Sequence, residues 1–346
     1  MKIIFINGRF LTSPVTGVQR YARELLPALD RQLPPDVQMI CLAPQQPFDA
    51  PSWHKIEIRR VGHSHGNLWE QFELPLYAHG ELLFSPANSG PFHYANQVVT
   101  LHDASTFAVP EAYTPAFRAK YAFLFQQLAK RAKHLLTVSR FSQGALAHYL
   151  KTNPRRFTVI HNGADHLDAV AADENILAQH NLRKNEYLLT VASQSKHKNL
   201  QSLFALPARI KIVVAGGSAG DVFSAQGRQN TQDHIQMIGY VNDQALKSLY
   251  QNALGFIFPS CYEGFGLPVL EAMRCGCPVL CTNNAALPEV AGKAALYFEP
   301  DNIAQVVETF LTSASLRDEL RQKGLERSAH FTWAETAAKT LEILLR

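Results

Sequence analysis

The amino-acid sequence predicts an α/β protein made of two doubly wound parallel sheets. Three observations carry this expectation. The chain has 346 residues, too many for one core at roughly 150 residues per domain. Short β-branched or apolar runs alternate with longer amphipathic stretches, the pattern of parallel strands covered by helices. That alternation fades once, near the middle, and then begins afresh. Apolar residues at 47% and charged residues at 18% fit a folded chain and exclude a disordered one.

In the first half, strands are predicted at 2–7, 37–43, 55–59, 81–84, 97–101, 134–138 and 157–161, with helices between most of them. From Gly163 to Asn185 the periodicity weakens into Ala-Asp-His-Leu-Asp and Ala-Ala-Asp-Glu-Asn, which divides the chain into domains at 1–168 and 169–330. The second half supplies strands at 187–191, 210–215, 234–238, 255–258, 278–281 and 295–298. Phe331-Thr332-Trp333-Ala334-Glu335 then opens an amphipathic helix that runs to Arg346. Right-handed crossovers bring the loops after the strands to one edge of each sheet, so functional residues are sought just beyond strand ends.

Ile3-Ile4-Phe5-Ile6 is too short for a signal-peptide core and ends in Asn7-Gly8 rather than a small-residue cleavage site. Apolar stretches such as Leu254 to Phe258 fall far short of the roughly 20 residues of a membrane span. A cytoplasmic protein is therefore expected. The five cysteines, Cys41, Cys261, Cys275, Cys277 and Cys281, lack paired Cys-x-x-Cys units and read as reduced, buried thiols rather than zinc ligands. His63 and His65 lie in a Gly-flanked polar loop and read as a solvated turn. The net charge of +4 is uneven: residues 1–165 hold 17 Lys/Arg against 11 Asp/Glu, the remainder 16 against 18, giving +6 and −2. A basic first half suits phosphate groups or anionic lipid. No nucleic-acid motif accompanies it. Gly216 to Gly220 lacks the full Gly-x-Gly-x-x-Gly spacing and an acidic ribose partner, so a nicotinamide enzyme is not indicated.

The segment from Phe258 to Met273 reads Phe-Pro-Ser-Cys-Tyr-Glu-Gly-Phe-Gly-Leu-Pro-Val-Leu-Glu-Ala-Met and holds two glutamates, Glu263 and Glu271. On one continuous helix they would stand about 12 Å apart, too far for joint acid and base work on a single bond. Gly264, Gly266 and Pro268 argue instead for a loop that opens a helix, with Pro268 near its first position and Glu271 inside its first turns. A glycine-preceded helix N-terminus offers backbone N–H groups and a positive dipole end to an anion such as a diphosphate. A carboxylate one turn further in can accept from ribose hydroxyls, and one on the loop from sugar hydroxyls. The alternative is an ordinary strand-loop-helix with a glutamate on its solvent face.

This segment resembles the Glu-x7-Glu motif of the family-4 retaining glycosyltransferases, and further features resemble that family in order along nearly the whole chain. Thr16-Gly17-Val18-Gln19-Arg20-Tyr21 is similar to its amino-terminal glycine loop, His102-Asp103 to its histidine after a strand, Val138 to Ser142 to its cleft loop, and Asn162-Gly163 to its interdomain turn. Val191-Ala192-Ser193-Gln194-Ser195-Lys196-His197-Lys198-Asn199-Leu200 is similar to its phosphate-binding loop. One departure stands out: Ser193 occupies the place where many members carry an arginine, for which Lys196 or Arg9 could compensate.

The resemblance implies a GT-B fold of two facing Rossmann-like domains with a cleft between them, and a terminal helix 331–346 that packs back on the first. It implies transfer of a sugar from a nucleotide-diphosphate donor to a saccharide acceptor with retention of configuration. His102, Lys198 and Glu263 are the implied catalytic residues. Gly17, Ser193, Lys198, Gly264, Phe265, Gly266, Leu267 and Glu271 are the implied donor site. With no Asp-x-Asp in the chain, neither a metal nor another cofactor is expected. The Gly-Val-Gln-Arg-Tyr and His-Asp-Ala-Ser segments most resemble bacterial enzymes of polysaccharide assembly, where GDP-mannose is a common donor, so it is the first donor expected; rhamnose, fucose, glucose and galactose donors stay open, as does a non-catalytic binder of nucleotide sugars. Taken alone, His102 would as readily be a buried hydrogen-bonded histidine, Ser139 a plain helix cap and Lys198 a surface lysine. The basic, aromatic segment from Tyr113 to Arg140 reads either as a platform for anionic membrane or a polyprenyl-diphosphate-linked acceptor, or as a packed helix with a solvated basic edge.

Overall fold

The computed structural model describes residues 2–192, 195–217 and 234–346. They form two compact units, one of Met1–Gly163 with Thr332–Arg346, the other of Ala164–Phe331.

The first unit is built on seven strands: β1 (Lys2–Asn7), β2 (Val37–Ala43), β3 (Glu57–Arg60), β4 (Leu82–Ser85), β5 (Gln97–Thr100), β6 (His134–Thr137) and β7 (Phe157–Val159). All pair in parallel, in the order β3-β2-β1-β4-β5-β6-β7. The second has β8 (Tyr187–Val191), β9 (Lys211–Ala215), β10 (Ile235–Gly239), β11 (Gly255–Phe258), β12 (Val279–Thr282) and β13 (Ala295–Phe298). These are again parallel, ordered β10-β9-β8-β11-β12-β13. Strands buried on both faces need unbroken apolar runs, and Ile4, Ile6, Val98, Val99, Leu188, Leu189, Phe256 and Ile257 supply them. In each sheet the order reverses beside the first strand, between β1 and β4 and between β8 and β11. A crevice opens at the carboxyl ends of the strands there.

Each expected strand is present, with shifts at the ends. The third begins at Glu57 rather than 55 because the Asp30 carboxylate takes the N–H groups of His54, Lys55 and Ile56 at 2.7–2.8 Å, which withholds them from the ladder. Burial opposes the charge of Asp30, yet these three N–H bonds hold its pKa below the usual value.

The first unit ends at Gly163 and not at 168. The chain beyond Gly163 belongs to the second unit through its bonds: Ala164 N–H donates to the Phe331 carbonyl at 3.0 Å, and Asp168 pairs with Arg274. The final helix, Trp333–Leu345, belongs to the first unit. It lies along the helix Gly17–Gln32, where Gln32 Nε2 donates to the Ala334 carbonyl at 2.9 Å, and Lys2 Nζ caps its end at the Leu345 carbonyl, 2.7 Å away. Trp333 packs its ring against Tyr21. Gly163 is required beside it, since a Cβ there would stand 2.2 Å from the Trp333 nitrogen.

Among the described residues no helix is long and apolar enough to cross a membrane. Cys41, Cys277 and Cys281 are buried as expected, but Cys261 is exposed and Cys275 half-buried. Cys261 follows β11 on a loop that docks through its backbone, N–H to the His197 carbonyl at 2.7 Å, and this leaves the thiol outward.

Candidate active site

In the second unit the loops after β8 and β11 are stitched together at the strand-order reversal. Cys261 N–H and Ser260 Oγ both donate to the His197 carbonyl, at 2.7 and 3.2 Å. This brings Lys198 to Glu263 across 65 positions of sequence: Nζ donates to Oε1 at 2.6 Å, with both side chains largely but not fully buried. The ammonium also sits 5.4 Å from the centre of the Phe258 ring, which adds a favourable face for the cation. An ammonium has three donors and a carboxylate about four acceptor sites, so their mutual bond leaves both able to hold a ligand.

The helix Leu267–Arg274 starts as the glycines and proline suggest. Gly266 is its N-cap at φ +97°, a left-handed conformation that a Cβ would strain and that would press it to 2.5 Å from Leu287. Pro268 occupies the first turn, where its missing N–H costs nothing. Phe265 and Leu267 are buried, Phe265 with its ring against Phe331. Their side chains serve the core, so any contact they or Gly264 and Gly266 make with a donor falls to the backbone.

Glu271 lies inside this helix, only 5% exposed. Both of its oxygens are held: His166 Nε2 donates to Oε1 at 3.1 Å and the Tyr250 hydroxyl to Oε2 at 3.2 Å. Burial and the neighbouring Glu271 charge push the Tyr250 phenol well above its ordinary pKa, which keeps it a donor. His166 belongs to the short turn Asp165–Leu167, pinned along the helix by the Asp168–Arg274 pair, Nε to Oδ1 at 2.9 Å, and by Lys247 Nζ at 2.8 Å from the Leu167 carbonyl. The Arg274 guanidinium holds the Asp168 carboxyl below its usual range. Each Glu271 oxygen has a second acceptor site, so a carboxylate fixed in this way can still receive two vicinal hydroxyls. Sequence reasoning found Glu271 but neither His166 nor Tyr250, which stand 105 and 21 positions away and carry no local signature.

Two expectations on this unit stand outside the described residues: Ser193, and most of the glycine run that ends at Gly220. Lys196 is described, and is exposed.

The other expected residues belong to the first unit. Gly17 is the first residue of the helix Gly17–Gln32, and a Cβ there would meet no protein atom within 4 Å, so nothing in this unit dictates a glycine. Thr16 caps the helix, with Gln19 accepting from its N–H at 3.2 Å. His102, just after β5, is buried edge-on to Tyr21 at 4.7 Å between ring centres. Its Nε2 donates to the Pro86 carbonyl at 2.9 Å, which assigns the proton to Nε2 and the lone pair to Nδ1. Burial lowers its pKa, favouring neutral imidazole. Ser139 acts as a helix cap, accepting from Ser142 N–H at 2.9 Å.

No local sequence signal marks what surrounds Arg9. At the β1/β4 reversal, Glu70 is 1% exposed, forms an ion pair with Arg9 Nε at 3.1 Å, and accepts from Asn7 Nδ2 at 2.8 Å and Ser89 Oγ at 2.5 Å. Arg9 also spans to Asn67 at 2.7 Å and Ser89 at 2.8 Å. The basic segment Tyr113 to Arg140 contains the helix Pro115–Arg131, which buries Leu124, Phe125 and Leu128. Phe117 stacks on Tyr113 and Tyr121. This is a packed helix with a basic edge, from which Phe117 and Phe123 still reach solvent.

Comparison with known proteins gives the following. Residues 15–166 match the family model described as Glycosyltransferase Family 4. Residues 172–327 match Glycosyl transferases group 1. The chain is 30% identical to O-antigen chain mannosyltransferase B of Escherichia coli, over 99% of this chain and 98% of that one. It is 28% identical to O-antigen chain mannosyltransferase RfbU of Salmonella typhimurium, over 60% of this chain and 58% of the relative. Among solved structures, WaaG, a glycosyltransferase involved in lipopolysaccharide biosynthesis, superposes with a TM-score of 0.74 at 16% identity, covering 99% of both chains. Anabaena HepE in complex with UDP and glucose superposes with a TM-score of 0.73 at 14% identity, again covering 99% of both.

Proposed function

Because this chain belongs to glycosyltransferase family 4 and carries the GT-B pair of parallel-sheet units, we propose that it transfers a hexose with retention onto a saccharide acceptor in bacterial polysaccharide or lipopolysaccharide assembly. GDP-mannose is the leading donor, because one relative matched across nearly the whole chain and another across 60% of it are named as O-antigen mannosyltransferases. The acceptor is lipid-linked, through a polyprenyl diphosphate, and the enzyme works at the inner face of the cytoplasmic membrane. One observation carries the reading of the site: Lys198 and Glu263 meet at 2.6 Å on the loops beside the helix that opens at Gly266 and holds Glu271.

In this reading Lys198 and the N–H groups at the helix opening neutralise charge growing on the departing diphosphate, with no metal needed. Glu271 accepts from ribose hydroxyls, and Glu263 from hydroxyls of the donor sugar. The family resemblance adds His102 to the catalytic residues, and its Nδ1 is the nitrogen not engaged by Pro86. The acceptor oxygen attacks the anomeric carbon on the face the phosphate leaves. The carbon–phosphate-oxygen bond breaks, and the leaving phosphate oxygen takes the acceptor proton.

The test is a panel of GDP-mannose, GDP-fucose, dTDP-rhamnose, UDP-glucose and UDP-galactose, scored by calorimetry and by product formation on a polyprenyl-diphosphate saccharide. Retention is read from the anomeric signals of the product. Turnover of one donor, lost in Lys198→Ala, supports the reading. Donor binding without turnover on any acceptor would overturn it, as would a sugar trapped covalently on a side chain.

A further inference from the structure

The helical stretch from Gly66 to Tyr77, with a π-helical segment Trp69–Glu73 at its middle, is apolar on both sides. Its inner face is spent on the core: Trp69 and Leu74 are fully buried with Phe5, Ile40, Leu42 and Leu83. Its outer face carries Leu68, Phe72 and Leu76, which are 63%, 60% and 69% exposed. Four-residue steps on an α-helix drift forward around the axis. The wider π turn takes up more residues per turn and offsets that drift, so the three side chains stay in one row. A helix apolar all round is a buried helix or a membrane-contacting one, and water meets this row directly.

The row sits on a fixed base. Glu73 accepts the N–H groups of His63 and Ser64 at 2.8 and 3.0 Å, and Trp69 Nε1 donates to the Val61 carbonyl at 2.8 Å. Gly62, at φ +78°, is the hinge of that staple, since a Cβ there would run into Glu73 and Trp69. Beside it lies the basic helix. Gln71 accepts from Phe92 N–H at 2.9 Å, and the Phe92 ring packs on the exposed Phe123 at 5.5 Å. Partial burial and, after it, the charge of Arg9 hold the Lys120 ammonium below its ordinary pKa, opposed by Glu70. Between Glu111 and Asp165 the chain holds nine Lys/Arg and no Asp/Glu.

We propose that Leu68, Phe72 and Leu76 are the insertion row of a face that docks on anionic membrane, with Phe123 and the Lys/Arg edge of the helix Pro115–Arg131 beside them. This rests on the reading of a lipid-linked acceptor and gives it a place on the molecule. The occupant is a bilayer surface because uncharged apolar side chains stand next to an acid-free basic stretch. That is the composition which combines apolar insertion with attraction to anionic headgroups. The sequence leaves the Tyr113 to Arg140 segment open between a membrane platform and a packed helix; in this proposal it supplies the charge and Phe123, and Gly66–Tyr77 supplies the apolar row.

The experiment compares the full chain with Leu68→Ser/Phe72→Ser/Leu76→Ser in co-sedimentation with phosphatidylglycerol–phosphatidylcholine vesicles and with pure phosphatidylcholine. The parent partitions onto the anionic vesicles and is released by salt. The triple variant, whose charge is unchanged, partitions roughly 100-fold less. Equal partitioning of parent and variant would overturn the proposal, and so would indifference of the parent to anionic vesicles at low salt. A parent dimer that the variant converts to monomer would assign the row to a contact between copies and overturn it too. Donor turnover on a water-soluble saccharide acceptor is the same in both proteins, which shows the variant folded. Absence of that turnover in both would count against the transferase reading and leave vesicle partitioning to decide the surface.

Discussion

In the second unit, the strand order reverses between β8 and β11, and the polar side chains brought there pair with one another near solvent. In the first, the reversal lies between β1 and β4, and the side chains brought there close up. The two cations are alike, Lys198 at 18% and Arg9 at 20% exposure, but the carboxylates differ: Glu263 retains 12%, whereas Glu70 retains 1% under Arg9, Asn7 and Ser89. The same sheet geometry thus produces a carboxylate with acceptor sites still open to solvent and a carboxylate consumed in holding loops. Charged groups at a switch point are therefore not equivalent candidates. What separates them is how many of their bonds the protein already takes and how much water still reaches them.

The sharpest way to break this contrast is Lys198→Ala. If the pair is functional, kcat falls by roughly 10²–10³-fold while thermal stability moves little. In a double-mutant cycle with Glu263→Gln, the two losses are not additive. A stability loss without a kinetic one would make the second unit's pair the same kind of object as the first's. The converse substitution, Arg9→Ala, leaves Glu70 buried beside an empty place. It is expected to cost the first unit about 3 kcal/mol, read as a lowered denaturation midpoint, with donor affinity unchanged by calorimetry.

His166→Ala sharpens the comparison within the second unit, because it removes one of the two bonds that orient Glu271. Donor KM should rise about tenfold, the scale of one charge-assisted hydrogen bond, with kcat less affected, and His166→Gln should recover part of the loss. The smallest effect concerns His102. Its folded-state pKa lies below the unfolded value of about 6.5, so the unfolded chain takes up the proton first. Its contribution to stability is complete above about 6.5 and is lost as pH falls below that. Thermal midpoints of His102→Phe between pH 7.5 and 5.5 should show a flatter slope than the parent's, and an equal slope would remove His102 from the account.

The same contrast explains what could be read from the sequence. Strands were legible because buried parallel strands leave continuous apolar runs, as at Ile3 to Ile6 and Phe256 to Phe258. The helix opening at Gly266 was legible because a left-handed cap and a first-turn proline each demand a particular residue. Glu263 and Glu271 share one local segment, so their spacing survives in the sequence. The Arg9–Glu70 cluster spans 61 positions and has no local signal, and His166 and Tyr250 reach Glu271 only through the tertiary fold. The uncovered row at Leu68, Phe72 and Leu76 was hidden for another reason: apolar residues on both faces erase the periodicity that reveals a surface helix. The division at 168 failed because weakened periodicity marks a loop but does not say which unit the loop's hydrogen bonds serve.

The final helix has a consequence for how the protein is made. Trp333–Leu345 packs along Gly17–Gln32 and is tied at its end to Lys2, so the first unit is completed only after the second has been made. While the ribosome produces Ala164–Phe331, the earlier unit must wait with Tyr21 lacking Trp333 and Gln32 lacking the Ala334 carbonyl. The second unit is continuous in sequence and can fold as soon as it emerges. The core of the first unit therefore closes only once Trp333–Leu345 has emerged, and in that interval the nascent chain would draw most on chaperones.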